Sequence, residues 1–546
     1  MEERSMRSRF AGYREVSAKG LRGCLREDLC SRLPAAFFED PFSCLDEGRG
    51  EIIKESTWRR AGIFSLEGGR RIFLKRDRTK GLFEKMKYRF LPSKGRREWL
   101  LALQLRKKNV RIPEPLGWME RVRRGWVEES YYLSEAVGSG GALIDDSLRL
   151  KERGTILRLA QTVRAVHDAG LNHLDFHAGN FLWDGDSLLL TDLHDSRIVG
   201  SLSRRQRLWN LSHLFHSLRS AWGEGEEMAF AQEYWAGDSI SDREREAFRE
   251  TIHGYMKRLQ KRQWRSRSKR CLKESSEFSV VREGRFVYHH RRDFPLDRVK
   301  GVVREYRRLL STAPAMLAKD SARVAVGQVR DDGNDLWVKE FRYPEWCDRM
   351  KDVFRTSKGL KGWISANGLR ARGLPSIKPL ALVEEKAWRG AKEGLFIMEG
   401  VEGGLEMDRF LSRTFDTPDQ KRSFVRTFAR WLSGFHRMDL YHRDMKTCNV
   451  LVLEKGDTWE FFLLDLEDVL LDHRVREKDL LRSLVQLNTS TPRLMSRTDR
   501  LRFFGEYLRL HPILPDRKAF LRRLIEESRR RGLVYVSPGG VVIQEM

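Results

Sequence analysis

The sequence predicts an α+β fold laid down twice in tandem, each copy having a small β-rich part followed by a larger helical part. Three observations carry this. A chain of 546 residues exceeds what one hydrophobic core organises. A succession of β-hairpin, helix, strand, amphipathic helix and polar loop occurs once before the middle of the chain and once after it. Both polar loops have the form Asp-x-x-x-x-Asn, at Asp175 to Asn180 and at Asp444 to Asn449, and each is followed by an apolar run ending on an aspartate, Asp192 or Asp465. The separation between equivalent residues is the same for the loop aspartates and asparagines, slightly smaller for two upstream lysines and slightly larger for the final aspartates. Such a slow drift is what a duplication with small insertions gives, not a short-period solenoid. The expected domains are 1–272 and 273–546.

In the first copy, Tyr13 to Leu25 has the pattern of short paired strands, and Asp28 to Phe38 that of a short helix. Ile63 to Leu66 and Arg71 to Lys75 flank a Gly68-Gly69 turn, which predicts a hairpin whose second strand ends on Lys75. A basic segment, Arg76 to Arg89, precedes a helix from Gly95 to Leu105 with one apolar face. Pro113 and Pro115 break that pattern. Tyr131 to Ala136 is a strand, and Gly138 to Gly141 a glycine-rich bend. Thr155 to Ala169 is an amphipathic helix stopped at Gly170. Residues 201–275 read as helical and increasingly basic, with a domain junction around 270–280.

The second copy repeats this order. Phe278 to Tyr288 forms a strand pair and Leu296 to Leu310 a helix. Arg323 to Val326 and Leu336 to Lys339 flank an Asp-Gly turn, giving a hairpin that again ends on lysine. Ser357-Lys358-Gly359 parallels Ser93-Lys94-Gly95, Phe396 to Glu399 parallels the Tyr131 strand, and Phe424 to His436 parallels the helix before the first loop. Arg493 to Leu510 and Asp516 to Arg531 are arginine-rich amphipathic helices, and Leu533 to Val536 has the pattern of a final strand.

Composition narrows the class. Hydrophobic content of 40% and 15 prolines fit a globular chain. The net charge of +26 calls for an acidic partner. A basic run between Lys257 and Lys273, interleaved with Trp264, has the look of a nucleic-acid patch, but a solvated helix is the commoner use of such a run, and no nucleic acid is expected. The six cysteines are scattered without a C-x-x-C pair, so neither a zinc site nor a disulfide framework is suggested. MEERSMRSRF lacks the apolar core of a signal peptide, and no run of ~18 apolar residues exists.

The loops point to phosphoryl transfer. There, an aspartate orients or deprotonates the attacking hydroxyl, an asparagine holds magnesium, and a second aspartate chelates the magnesium that bridges the ATP phosphates. Asp175 and Asp444 take the first part, Asn180 and Asn449 the second, Asp192 and Asp465 the third. Lys75 and Lys339 are the expected ATP-phosphate lysines, with Glu98 as the helix acid that fixes Lys75. In the second copy Gly362 stands where Glu98 stood, so another acid substitutes, or Lys339 is held differently, or that copy is weak. A G-x-G-x-x-G loop is absent from both hairpins, leaving the amides of Ser65 to Gly69 or of Gly327 to Gly333 as candidate phosphate covers. Asp192-Leu193-His194 and Asp465-Leu466-Glu467 replace Asp-Phe-Gly, which favours a constitutively assembled small-molecule or glycan kinase. His173 and His442 are expected to hydrogen-bond the loop backbone.

Trp337 to Arg342, Leu374 to Leu380, His442 to Asn449 and Leu464 to Asp468 resemble the lipopolysaccharide core kinase family, which includes heptose and 3-deoxy-manno-octulosonic acid (Kdo) kinases. The first copy, with Arg97-Glu98-Trp99 and Asp192-Leu193-His194, is similar, and its Asp-x-His-x-Gly-Asn loop also resembles aminoglycoside-type phosphotransferases. The resemblance implies two protein-kinase-like domains, each with a small N-lobe and a larger C-lobe. It further implies ATP- and Mg2+-dependent phosphorylation of an inner-core sugar hydroxyl, by an enzyme in the cytoplasm, peripheral at the inner membrane. The basic charge fits both partners, a polyanionic glycolipid acceptor and an anionic membrane surface. The rivals are a protein serine/threonine kinase and a chain in which one half, or both, binds nucleotide or glycan without transferring phosphate.

Overall fold

The computed structural model describes residues 10–46, 50–138, 141–238, 240–312, 317–343, 356–387, 390–413, 415–511, 516–537 and 540–544. Part of the Gly138 to Gly141 bend, and Cys347, lie outside the described residues. Contacts divide the chain into two compact units, Met1–Gln260 and Lys261–Met546. The sequence junction at 270–280 rested on the density of charge, whereas the division falls within a regular helix (Asp242–Ser268).

The first unit begins with an antiparallel sheet of seven strands: β1 (Tyr13–Ala18), β2 (Leu21–Arg26), β3 (Gly50–Glu55), β4 (Arg59–Ser65), β5 (Arg71–Arg78), β6 (Pro115–Arg123) and β7 (Trp126–Glu135). Their spatial order is β1-β2-β6-β7-β5-β4-β3. Lys75 lies inside β5 rather than at its end, because the strand continues through Asp77 opposite Arg59. The pleat turns Ile72 and Leu74 into the core beside Phe64, Leu116 and Leu133. It turns Lys75 to the other face.

Two helices follow β5, α1 (Gly81–Phe90) and α2 (Lys94–Lys107). A Cβ added at Gly95 would lie 2.4 Å from the carbonyl oxygen of Tyr131, so α2 reaches β7 only because residue 95 has no side chain. At the equivalent Gly359 a Cβ would meet Leu382 at 2.9 Å. The repeated Ser-Lys-Gly thus marks a close helix-to-sheet approach in both units.

The helical part of the first unit contains α3 (Arg153–Asp168), α4 (Arg204–Leu218), α5 (Glu224–Tyr234) and α6 (Asp242–Ser268). Helix α3 stops before Gly170, whose φ of +81° suits a left-handed stop. Leu159, Val163, Phe176, Phe181, Leu211 and Leu214 share one core, so the loop after α3 is anchored from below.

The second unit repeats the sheet. Strands β8 (Phe278–Glu283), β9 (Phe286–Arg291), β10 (Lys319–Asp320), β11 (Val324–Asp331), β12 (Asn334–Arg342), β13 (Pro379–Ala387) and β14 (Gly390–Glu399) take the order β8-β9-β13-β14-β12-β11-β10. The expected Asp-Gly turn is present, with Asp332 and Gly333 both at positive φ between paired Asp331 and Asn334. Helix α7 (Leu296–Thr312) packs Val299, Val302 and Tyr306 with Val338, Leu380 and Ile397. Helix α8 (Lys358–Arg370) follows, then α9 (Pro418–Arg437), α10 (Glu477–Ser490), α11 (Arg497–Leu510) and α12 (Arg517–Arg531). Leu533–Ser537 pairs with Gly540–Gln544 as a closing hairpin. Among the described residues no helix is long and apolar enough to cross a membrane.

Each helical part also contains one buried histidine bonded to a tyrosine. His167 Nδ1 lies 2.7 Å from Tyr234 Oη, and His436 Nδ1 lies 2.7 Å from Tyr507 Oη. Burial lowers each histidine to about 3. Both are neutral in the folded chain and titrate near the ordinary ~6.5 once unfolded. The unfolded chain therefore binds more protons between those values, so stability is full above pH 6.5 and falls as the pH drops towards 3. The expected loss is roughly 1.5 kcal/mol per histidine between pH 6.5 and 5, measured by denaturant unfolding. A His167→Gln variant is expected to lose its share of this pH dependence.

Candidate active site

In the first unit three elements converge on one ammonium group. Lys75, from β5, is 5% exposed. Its Nζ lies 3.0 Å from Glu98 Oε2 on α2 and also bonds the Asp192 carboxylate. Glu98 is itself buried and accepts the Leu193 N–H at 3.2 Å, which ties the helix to the turn after Asp192. Burial works against the charge on Lys75, but Glu98 and Asp192 outweigh it and raise its pKa. Burial raises Glu98, and Lys75 offsets this only in part. Burial also pushes Asp192 up, but the His194 hydrogen bond and the Lys75 charge hold it well below the usual carboxylate range.

Asp192 adopts the left-handed conformation with φ +59°, which is uncommon for a non-glycine residue. The bend brings His194 back onto it, Nδ1 to Oδ1 at 2.5 Å. Burial lowers His194, yet its bonds to Asp192 and Asp195 raise it to about 9. Arg59 closes the arrangement from β4, with a nitrogen 2.9 Å from His194 Nε2 and another 3.0 Å from Asp77. Glu98, Asp192 and His194 place three ligand atoms within 4.8 Å of one another. The Lys75 ammonium bridges the two carboxylates there.

The loop is built by its own backbone. His173 Nδ1 accepts the Asp175 N–H at 3.2 Å, Asn180 Nδ2 donates to the Asp175 carbonyl at 2.8 Å, and Ser217 Oγ accepts the Ala178 N–H at 2.9 Å. With its amide N–H committed, Asn180 keeps its carbonyl oxygen as a hard acceptor. The Asp175 side chain is exposed, with His177 Nε2 at 3.7 Å.

The second unit builds the same loop. Asp444 N–H donates to His442 Nδ1 at 3.1 Å, Asn449 Nδ2 to the Asp444 carbonyl at 2.8 Å, and Thr447 N–H to Ser490 Oγ at 2.9 Å. Asp465 is again left-handed, with φ +47°. Lys339 Nζ meets Asp465 Oδ1 at 2.6 Å and Glu467 Oε1 at 2.7 Å. Burial again opposes the lysine charge, and Glu467 and Asp465 again outweigh it. The acid that Gly362 cannot provide therefore comes from the turn. Glu467 takes the position that His194 holds in the first unit, two residues after a left-handed aspartate.

Four residues to which the sequence assigned no role of their own belong to these clusters: Arg59, His194, Glu467 and Lys446, whose Nζ lies 2.9 Å from Asp444 Oδ2. The spacing Asp444-x-Lys446 was the one available signal for the last of these. Lys75 lies on the third strand of the set β3-β4-β5, and Arg59, which meets His194, starts β4 directly after the Ser56 to Trp58 turn.

The lipopolysaccharide kinase (Kdo/WaaP) family model matches residues 45–234 and 356–507, more than half of the chain. The chain belongs to this family. It is accordingly a kinase, with an alcohol group as acceptor and a protein-kinase-like fold. One matched segment falls in each unit. The family relatives include lipopolysaccharide core heptose(I) kinase WaaP of Escherichia coli, 28% identical over 200 residues, 33% of this chain and 75% of that protein. The WaaP of Pseudomonas aeruginosa is 24% identical over 225 residues, 37% of this chain and 83% of that protein. Among solved structures, WaaP in complex with acyl carrier protein aligns with a TM-score of 0.31 at 22% identity, over 40% of this chain and 91% of that one. A Toxoplasma gondii rhoptry antigen kinase domain aligns with a TM-score of 0.25 at 13% identity, over 38% and 74%.

A Cβ added at Gly362 would sit 3.4 Å from the Phe396 ring and 3.8 Å from the Glu467 nitrogen, with no closer neighbour. A side chain can therefore start at this position with ordinary van der Waals contacts. Glu467→Ala is expected to lower the stability of the second unit by about 1–3 kcal/mol, since it strips one partner from a buried ammonium. Adding Gly362→Glu to that variant is expected to restore most of the loss in the same unfolding measurement.

Proposed function

We propose that the chain is a tandem kinase that transfers the γ-phosphoryl group of ATP to a sugar hydroxyl, heptose or Kdo, of the lipopolysaccharide inner core. The carrying observation is the lysine–carboxylate cluster that recurs beside an Asp…Asn loop in both units. Each unit is read as a kinase-like domain, and the pair as a duplication. The enzyme acts in the cytoplasm, peripheral at the inner membrane.

In this reading Asp175 and Asp444 accept or orient the proton of the acceptor hydroxyl. Its oxygen bonds to the γ-phosphorus as the bond to the β-phosphate oxygen breaks. Lys75 and Lys339, held by Glu98 and Glu467, hold ATP phosphates. The amide oxygens of Asn180 and Asn449 and the part-exposed carboxylates of Asp192 and Asp465 are hard donors that suit Mg2+. When bound, the ion neutralises phosphate charge. Lys446, beside Asp444, is read as the residue that meets the transferring phosphoryl group in the second unit, and His177, beside Asp175, as its counterpart in the first.

The test is ATP-dependent phosphate transfer to purified lipopolysaccharide core. Asp175→Ala and Asp444→Ala are each expected to abolish the contribution of their own unit, by about 10³-fold or more, and the double variant to be inactive. Full activity in the double variant refutes the reading. Label on protein and none on glycan would instead make the chain a protein kinase.

A further inference from the structure

Helix α1 (Gly81–Phe90) comes in the chain between the strand that carries Lys75 and the helix that carries Glu98, and its Glu84 pairs with Lys94 at the start of the latter. By sequence it is a basic segment. In the structure it is a helix with no buried residue. Leu82, Phe83, Met86 and Phe90 are all exposed, Phe83 at 85% and Phe90 at 81%. Their spacing of i, i+1, i+4 and i+8 puts all four on one arc of about 100°. Leu91, also exposed, extends the patch at the C-terminal end.

The opposite arc is the one that packs. Glu84 accepts from Tyr88 Oη at 2.9 Å and lies 3.2 Å from Lys94 Nζ, and burial raises the Tyr88 hydroxyl. The apolar face is therefore outward by construction. Basic residues border it: Lys85 and Arg89 on one side, Lys87 on the other, and Lys80 at the N-terminal end. Lys80 lies 5.7 Å from the ring of Trp58, which is itself half-exposed.

A face that is apolar and aromatic along its middle and cationic along both margins matches the layering of a lipid headgroup region over acyl chains. The cationic margins require an anionic surface. The four apolar side chains stand on a single helix that buries none of its own residues, which suits insertion into a fluid surface.

We propose that α1 is a membrane-docking helix that lays Leu82, Phe83, Met86 and Phe90 into the interface of an anionic bilayer. The inference rests on the peripheral location proposed above and assigns it to one element. Docking there holds the sheet of the first unit, against whose β7 the helix packs, at the lipid surface.

The test is co-sedimentation of the full chain with phosphatidylglycerol/phosphatidylethanolamine vesicles. The wild type is expected to bind, and less so at high salt. Phe83→Ser/Phe90→Ser is expected to bind at least tenfold more weakly, with an unchanged thermal unfolding midpoint. Lys85→Gln/Lys87→Gln is expected to lose roughly fivefold per lysine on anionic vesicles and little on phosphatidylcholine. Equal binding of the Phe83→Ser/Phe90→Ser variant and the wild type overturns the proposal. So does a wild-type dimer that this variant abolishes, since the face is then covered by a second copy. Phosphate transfer to delipidated core oligosaccharide in solution separates the two readings. It is expected to be unchanged in Phe83→Ser/Phe90→Ser, and its absence from wild-type protein that binds vesicles counts against the sugar-kinase reading alone.

Discussion

An ammonium group taken out of water governs the architecture of each unit. A buried cation costs several kcal/mol unless carboxylates meet it with good geometry. Lys75 is met from two directions, by Glu98 on a helix and by Asp192 in a turn that closes a distant pair of strands. Sheet, helix and turn must therefore stand in one relation for the charge to be tolerated. The Leu193 N–H bond to Glu98 and the glycine contact of α2 with β7 enforce that relation from two further points.

The second unit meets the same requirement with different residues. Its sheet order, glycine approach, histidine-supported loop, left-handed aspartate and buried His–Tyr pair all match the first unit. Only the origin of the second carboxylate changes, from helix to turn. A buried lysine constrains how many acids surround it more strongly than which element delivers them.

Much of this was legible in the sequence. Hairpins with glycine turns, amphipathic helices with capping signals and the two Asp…Asn loops are local patterns, and local patterns survive folding. What was not legible depends on non-local geometry. Glu467 reaches Lys339 because Asp465 takes a left-handed turn, while linear alignment pointed at Gly362. Arg59 arrives by the pairing of β4 with β5. The β1–β2 hairpin joins the sheet at β6, far along the chain. The stretch 76–89 read as a charged segment because its lysines and arginines mask an apolar face that appears only at helical spacing.

Moving one carboxylate has a consequence for control. In the first unit the lysine's partner is carried by α2, so any force that slides or tilts that helix breaks the ion pair and disarms the cluster. In the second unit both acids come from one short turn, and α8 packs on that turn, with Ser365 Oγ donating to the Val469 carbonyl at 3.1 Å. A displaced α8 reaches Lys339 through the turn rather than through a carboxylate of its own. The two copies share the coupling of helix to lysine and differ in the element that transmits it.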